Sequence, residues 1–361
     1  MNRKRTALSA AAAGTTAGVV GLVLIAAPAG ADTTPPALPE TTAESLVASV
    51  LTTDVPALSG TVAVSSDLGL PIPGLPTGDE AARIYTDGEG KARVSLIEGD
   101  GEKTLVADGA TTWLWSSADK SVVKYTGGAR DKAGEEQRLT DPAAAAREFV
   151  TAMGDESTLS VDGTARVADR PVYQLVVTPK PSERTLLREV RISVDSETRV
   201  PLRLEVLANG SAAPALSLGF TEFTPGAQDA SLFTFTPPAG AKVTDGNAEV
   251  GKHEPTEQQK QDLLNAIKPK VVGSGWDTVY VGTVPADLLE SEVTTEDKGG
   301  REGGKTTGLD LVKQFGQPVS GAFGTGTVIT TKVGTALVTD DGQVAVGAVP
   351  QQVLVDALGQ K

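Results

Sequence analysis

Cysteine is absent from the 361 residues. That removes disulfides, thiolate nucleophiles, Cys-based zinc sites and the acceptor for a bacterial lipoprotein anchor. Histidine occurs once, as His253 in the loop-like run from Gly251 to Pro255. A multi-histidine metal centre is therefore excluded, and a Ser-His-Asp triad would depend on that one residue. Aromatics make up only 4% of the chain, and bases are outnumbered: 32 Lys+Arg against 46 Asp+Glu, a formal net charge of -14. Such a surface repels phosphates, so nucleic acid is not an expected partner. What remains, 39% hydrophobic and 22% charged residues, is a globular composition long enough for two domains.

The N-terminus reads as an export signal. Arg3, Lys4 and Arg5 form a basic start, Ala7 to Ala27 is small and apolar, and Ala29-Gly30-Ala31 has the small-residue pattern of a cleavage site before Asp32. An uncleaved membrane anchor is the alternative reading of the same span. If the leader is removed, its three cations go with it and the formal charge passes from -14 to -17. No later segment is apolar for long enough to span a bilayer.

Residues 32–40 are Thr/Pro-rich and read as a linker. Thr41-x-x-Glu44 has capping-box spacing, and Leu46, Val47, Val50 and Leu51 share a helical face. Short strands follow: Thr61–Val64, Arg83–Thr86, Lys91–Leu96, Thr104–Ala107, Thr112–Trp115 and Ser121–Tyr125. A second helix opens on Asp141-Pro142 and places Ala146, Phe149, Val150 and Met153 on one side, with Gly154 as its stop. Strands resume at Val172–Val177, Val190–Val194, Leu202–Val206, Leu216–Phe220 and Phe233–Thr236, with Asn209-Gly210 as a hairpin turn.

The expected fold is mainly β (α+β): a curved antiparallel sheet of about ten or eleven strands over residues 41–243, covered by two helices. Two helices are little cover for so large a sheet, so an apolar hollow between sheet and helices is a natural ligand site. Residues 244–256 read as a second linker. Residues 257–361 read as a small α+β unit, with a helix over Glu257–Ile267, a strand at Trp276–Val281, a helix at Leu309–Phe315, strands at Gly326–Thr331, Gly334–Val338 and Gln343–Val349, and a last helix after Pro350.

Residues 299–306 formally match the phosphate-loop pattern G-x-x-x-x-G-K-[ST], but a polar, acidic run precedes them in place of a core strand, so a Gly-rich loop is the expectation. Asp340-Asp341 and Glu135-Glu136 lack calcium-ligand spacing and read as solvated turns. Trp113 and Trp115 sit two residues apart and share a face.

Segment 41–243 resembles the lipoprotein-carrier (LolA-like) family and the related N-terminal domain of the sigma-E regulators (RseB/MucB-like). Three phrases carry the resemblance. Val106-Ala107-Asp108-Gly109 leading to Trp113-Leu114-Trp115 is similar to the family's "DGK-x-x-W" hairpin. Ile192–Asp195 leading to Pro201-Leu202-Arg203 is similar to its strand–Asp–turn–Pro-Leu hairpin. Phe223 to Phe235, followed by Pro237-Pro238-Ala239-Gly240-Ala241, is similar to its closing "F-x-F-x-P-P-x-G". The resemblance implies an open half-barrel capped by helices, an acyl-chain concavity and no catalysis. No position matches the family's cargo-release arginine. The Ala/Gly/Thr/Val-rich sequence looks actinobacterial.

The expected function is an exported, non-enzymatic carrier or sensor that binds a lipid or acyl chain and uses no cofactor, metal or nucleotide. The alternative is an envelope-stress regulator that binds an anti-sigma factor or other membrane regulatory protein. Candidate cavity-lining residues are Trp113, Trp115, Tyr125, Phe149, Val190, Ile192, Leu202 and Leu204. A lipid or a lipid-modified protein is the expected partner.

Overall fold

Alternation of apolar and polar side chains at period two is what lets a strand bury one face, and it governs most of this chain. The computed structural model describes residues 35–70, 80–98, 101–126, 141–153, 155–247, 267, 269–284, 292–294 and 305–359. The signal, the first three residues of the linker at 32–40, residues 71–79 and 127–140, His253, and most of the helix expected at Glu257–Ile267 lie outside the described residues.

Helix α1 (Ala43–Thr52) is capped by Thr42, whose hydroxyl accepts from Ser45 N–H at 3.2 Å; the cap lies one residue beyond the Thr41 expected from spacing. Strands β1 (Leu58–Ser66), β2 (Glu80–Thr86), β3 (Ala92–Glu98), β4 (Gly101–Ala107), β5 (Thr111–Ser116) and β6 (Ser121–Thr126) form one meander. Helix α2 (Pro142–Met153) follows. The Asp141 carboxylate accepts from Ala143 and Ala144 N–H at 2.9 and 3.1 Å, as a cap before a first-turn proline should. A second meander comprises β7 (Ser157–Val167), β8 (Arg170–Pro179), β9 (Leu187–Asp195), β10 (Pro201–Ala208) and β11 (Leu216–Pro225).

The meanders join through the antiparallel pair β1–β11. With β12 (Lys242–Asp245) they make a curved, unclosed twelve-stranded sheet in the order β12-β6-β5-β4-β3-β2-β1-β11-β10-β9-β8-β7. Two strands here escape the sequence pattern. Edge strand β7 exposes Thr158, Ser160, Asp162 and Gly163 and carries a bulge between Val161 and Thr164, so its alternation is interrupted. β12 is four residues long and pairs in parallel with β6. Phe233–Thr236, expected as a strand, is instead the end of a 3₁₀ turn (Ala230–Phe233) and extended, unpaired chain. It lies between β11 and β12, where the chain must travel to the far edge of the sheet.

A second, six-stranded antiparallel sheet has the order β13-β14-β20-β19-β18-β17, from β13 (Lys270–Val272), β14 (Val279–Thr283), β17 (Gln317–Gly321), β18 (Gly324–Thr330), β19 (Thr335–Thr339) and β20 (Gln343–Gly347). Helix α4 (Gln351–Gly359) buries Val353, Leu354 and Ala357 against Val279, Leu337 and Ala345. A two-stranded ribbon, β15 (Glu292–Thr294) with β16 (Lys305–Thr307), precedes helix α3 (Gly308–Phe315). Both sheets belong to one compact unit, Leu38–Lys361. Trp276, expected in a strand of the small sheet, sits in a 3₁₀ turn and packs into the core of the large one. Its indole N–H donates to Ser157 Oγ at 2.8 Å, and its ring meets Phe149 edge-on at 5.4 Å.

Candidate binding face

Cross-strand register decides which residues share a face. On β8, β9 and β10 it aligns Leu175, Ile192 and Leu204 in one row and Val177, Val190 and Val206 in the next. These rows face the helices. Leu46 and Val50 of α1 and Ala146, Phe149 and Val150 of α2 pack directly on them. Leu175, Val190 and Ile192 are all 0% exposed, so side chains fill this half of the sheet. Continuing across β11 and β1, Leu218, Phe220, Val62 and Leu58 pack with Ala143, Ala145 and Leu202, and Ile84 on β2 touches the border of this cluster.

Beyond that border the same face continues over β3 to β6. The register Ile84–Val94–Leu105–Leu114–Val123 forms one apolar row across five strands. At about 4.8 Å per strand the row is about 19 Å long. Ile84, Val94, Leu114 and Val123 are partly buried, and Leu105 is 8% exposed. The row on one side is Thr86–Ala92–Ala107–Thr112–Tyr125. The row on the other is Ala82–Leu96–Lys103–Ser116–Ser121–Lys242. Among the described residues, the principal strand contacts of α1 and α2 fall on β7, β8, β10 and β11.

The opposite face of β4–β6 is covered by other means. Alternation turns Trp113 and Trp115 away from Leu114, so both tryptophans lie on the side remote from the helices. There Trp113 stacks at a tilt on Phe235 at 5.6 Å, with Lys124 Nζ 5.1 Å from its ring centroid. Val106 and Val122, both 0% exposed, share this side with the tryptophans. The unpaired strap before β12 thus brings Phe235 onto this side of the sheet.

The electrostatics are concentrated at one end of β8–β9. Arg170 makes a two-pronged pair with Asp195, Nε–Oδ1 2.7 Å and Nη2–Oδ2 2.9 Å, and reaches Glu197 at 2.8 Å. Thr198 donates its N–H and hydroxyl to Asp195 Oδ2 at 2.7 and 2.8 Å. Burial pushes the Asp195 carboxyl up, but Arg170 and Thr198 outweigh it and hold the acid below its ordinary range. The same hydrogen bond to Asp195 raises the Arg170 pKa further above its ordinary value, burial notwithstanding.

A small cleft of about 130 Å³ lies between Arg184 and the β13–β14–α4 region, lined by Val272, Asp277, Val353 and Asp356. Arg184 and Asp356 pair across it at 3.0 Å. Ligand pockets start at about 300 Å³, so it is too small for a lipid tail.

The eight candidate residues therefore occupy three settings. Phe149, Val190, Ile192 and Leu204 fill the helix-covered core, and Leu202 belongs to its neighbouring cluster. Trp113 and Trp115 lie on the far side of the sheet. Tyr125 lies on the helix-side face at the flank of the apolar row, with its ring so close against Gly246 that even a Cβ there would collide with it. Leu105, Leu114 and Val123, the heart of that row, were not among the candidates; strict alternation with Trp113 and Trp115 was the signal that separates them.

The formal phosphate-loop match ends in β16, so Lys305 and Thr306 stand in a strand, whereas a phosphate loop needs them at the first turn of a helix. Asp340 and Asp341 accept from the Thr325 and Thr339 hydroxyls in a turn, and Glu135-Glu136 lies outside the described residues. Among the described residues, no group of three His, Asp or Glu side chains is placed to hold a metal, and no helix is long and apolar enough to cross a membrane.

No family model matches the sequence, and no curated protein matches it. Among solved structures the chain is similar to MucB, at 15% identity and a TM-score of 0.42, over 86% of this chain and 94% of that one. It is similar to a chain of the Pseudomonas aeruginosa MucA/MucB complex, at 15% identity and a TM-score of 0.39, over 87% and 95%. It is also similar to a LolA-superfamily protein from Nitrosomonas europaea, at 12% identity and a TM-score of 0.24, over 54% of this chain and 99% of that one. The two groups that the sequence resembles are thus both found among the similar structures, MucB along most of the chain and the LolA superfamily along about half of it.

Proposed function

We propose that this is an exported, non-enzymatic carrier or sensor that holds a hydrocarbon chain against the β3–β6 half of the helix-side face. The observation that carries the reading is the row Ile84–Val94–Leu105–Leu114–Val123: five apolar side chains in continuous register, leaving the packed core at Ile84 and running past the helices toward the open edge. Apolar area removed from water stabilises by about 25 cal/mol per Å². A buried acyl chain adds about 0.8 kcal/mol per methylene, so even partial coverage of the row holds a tail reversibly.

Organic extraction of the purified protein followed by mass spectrometry tests the proposal. Co-purifying acyl lipid that disappears in Leu114→Asp, with the far-UV circular dichroism unchanged, is the expected result. Lipid-free protein that takes up no added acyl chain contradicts it.

A second reading, a regulator that binds a membrane protein, draws on a different surface. Val271, Tyr280 and Val346 are direct cross-strand neighbours on β13, β14 and β20 and are 60%, 60% and 43% exposed. If that row docks a protein, Tyr280→Glu abolishes capture of the partner and leaves acyl binding intact.

A further inference from the structure

One peptide group between β8 and β9 is held from both sides. The Thr185–Leu186 peptide donates its N–H to Ala348 O at 2.9 Å and accepts from Asn209 Nδ2 on its C=O at 3.1 Å. Ala348 lies between β20 and α4, in the small-sheet part of the chain, and its oxygen also accepts the Thr185 hydroxyl at 2.7 Å. Asn209 donates its own main-chain N–H to Leu186 O at 2.9 Å. Hydrogen bonds at the two ends of one peptide polarise each other, so the Asn209 amide strengthens the contact to Ala348.

The chemistry of Asn209 is set by its neighbour. Asparagine occurs at positions 2, 209, 247 and 265, and only Asn209 is followed by glycine. Asn209 and Gly210 are both exposed. Ser211 N–H reaches Ala208 O at 3.2 Å across the turn, and Gly210 takes the corner that needs positive φ, at +76°. Open space surrounds the place where a Cβ would stand, and among the described residues no acceptor takes the Gly210 N–H. A main-chain nitrogen without a side chain beside it or an acceptor in front of it can turn on the adjoining carboxamide.

We propose that Asn209 is a site of spontaneous covalent modification that loosens the joint between the two sheets. The Gly210 nitrogen gives its proton to hydroxide and attacks Asn209 Cγ. The new N–Cγ bond forms as the Cγ–Nδ2 bond breaks, and Nδ2 takes a proton from water and leaves as ammonia. Water then opens the five-membered imide at either carbonyl, giving aspartate or isoaspartate at position 209. The donor that met Thr185 O is gone, and a carboxylate stands near that carbonyl. Two acceptors repel, and the shared peptide loses its grip on Ala348.

The test is to age the full chain at pH 8.5 in water enriched in oxygen-18, followed by peptide mass spectrometry and hydrogen exchange. Position 209 gains one labelled oxygen with time, faster at higher pH. Asn247 stays intact, because Ala248 follows it and its amide is engaged by Thr126 at both ends. In Asn209→Asp the Leu186 amide exchanges about fivefold faster, as the loss of one ordinary hydrogen bond predicts, while Val106 in β4 is unchanged. The aged unmodified chain gives the same readout if that variant fails to fold. An Asn209 that stays intact while an unfolded peptide of the same sequence converts overturns the site. Conversion with Leu186 exchange unchanged overturns its effect on the joint.

Discussion

The two ends of the large sheet are built on the same alternation but finished differently. Over β7–β11 the apolar rows meet two helices, and Leu175, Val190 and Ile192 have no exposure at all. Over β3–β6 the equivalent row is partly buried apart from Leu105, while on the reverse side Trp113 stacks on Phe235. Among the described residues, the same hydrophobic pattern meets α1 and α2 in one half of the sheet and not in the other, and the proposed acyl-chain site uses the second half.

The comparison can be broken most forcefully in the filled half. Ile192→Ala leaves a cavity among α1, α2 and Trp276 and should lower unfolding free energy by about 3–4 kcal/mol. Urea denaturation measures it, and a loss below about 1 kcal/mol would mean that this half is not packed. Removing Asp195 strands the largely buried Arg170 guanidinium; Asp195→Ala should cost about 3 kcal/mol in the same assay.

Acidity probes the same pair. The folded Asp195 carboxyl titrates below its unfolded value, so its contribution is fully present above about pH 4 and is lost as pH falls through the depressed folded value. Urea midpoints recorded from pH 7 down to pH 3 should therefore fall less steeply in Asp195→Asn than in the unmodified protein. Identical slopes would show that the pair has no linkage to folding.

Smaller effects separate the two faces of β5. Trp113→Ala opens the strap core and should destabilise by about 1–2 kcal/mol, since the ring is only partly buried, with no change in acyl-chain affinity. Leu114→Ala, its immediate neighbour, should lose about 1 kcal/mol of stability or less while weakening acyl binding several-fold by calorimetry. The reverse assignment of affinity would place the site under the strap.

Much of the fold was legible because its signals are local. Val190/Ile192/Val194 and Leu202/Leu204/Val206 alternate in sequence, and Asp141-Pro142 starts a helix by capping chemistry alone. Strands β7 and β12 were not legible: one is a bulged edge with Thr158, Ser160 and Asp162 exposed, and the other is four residues long. Phe233–Phe235 looked like a strand because aromatic spacing is the same whether a chain pairs or merely crosses a surface. The candidate face was half legible. Period two groups Trp113 with Trp115 and sets Leu114 opposite, but it cannot say which side the helices take. That choice depends on register across β1–β11, with a bulge between Thr61 and Val62. Leu114 and Val123 meet only through turn lengths that no single strand encodes.

The central claim is that a hydrocarbon tail lies on β3–β6 and not beneath the helices. Methyl-resolved NMR with a spin-labelled fatty acid tests it directly, because paramagnetic broadening reports proximity. Broadening of the Val94, Leu105, Leu114 and Val123 methyls with Val190 and Ile192 untouched is the result this account requires. Broadening of Val190 and Ile192, or of no methyl at saturating lipid, contradicts it.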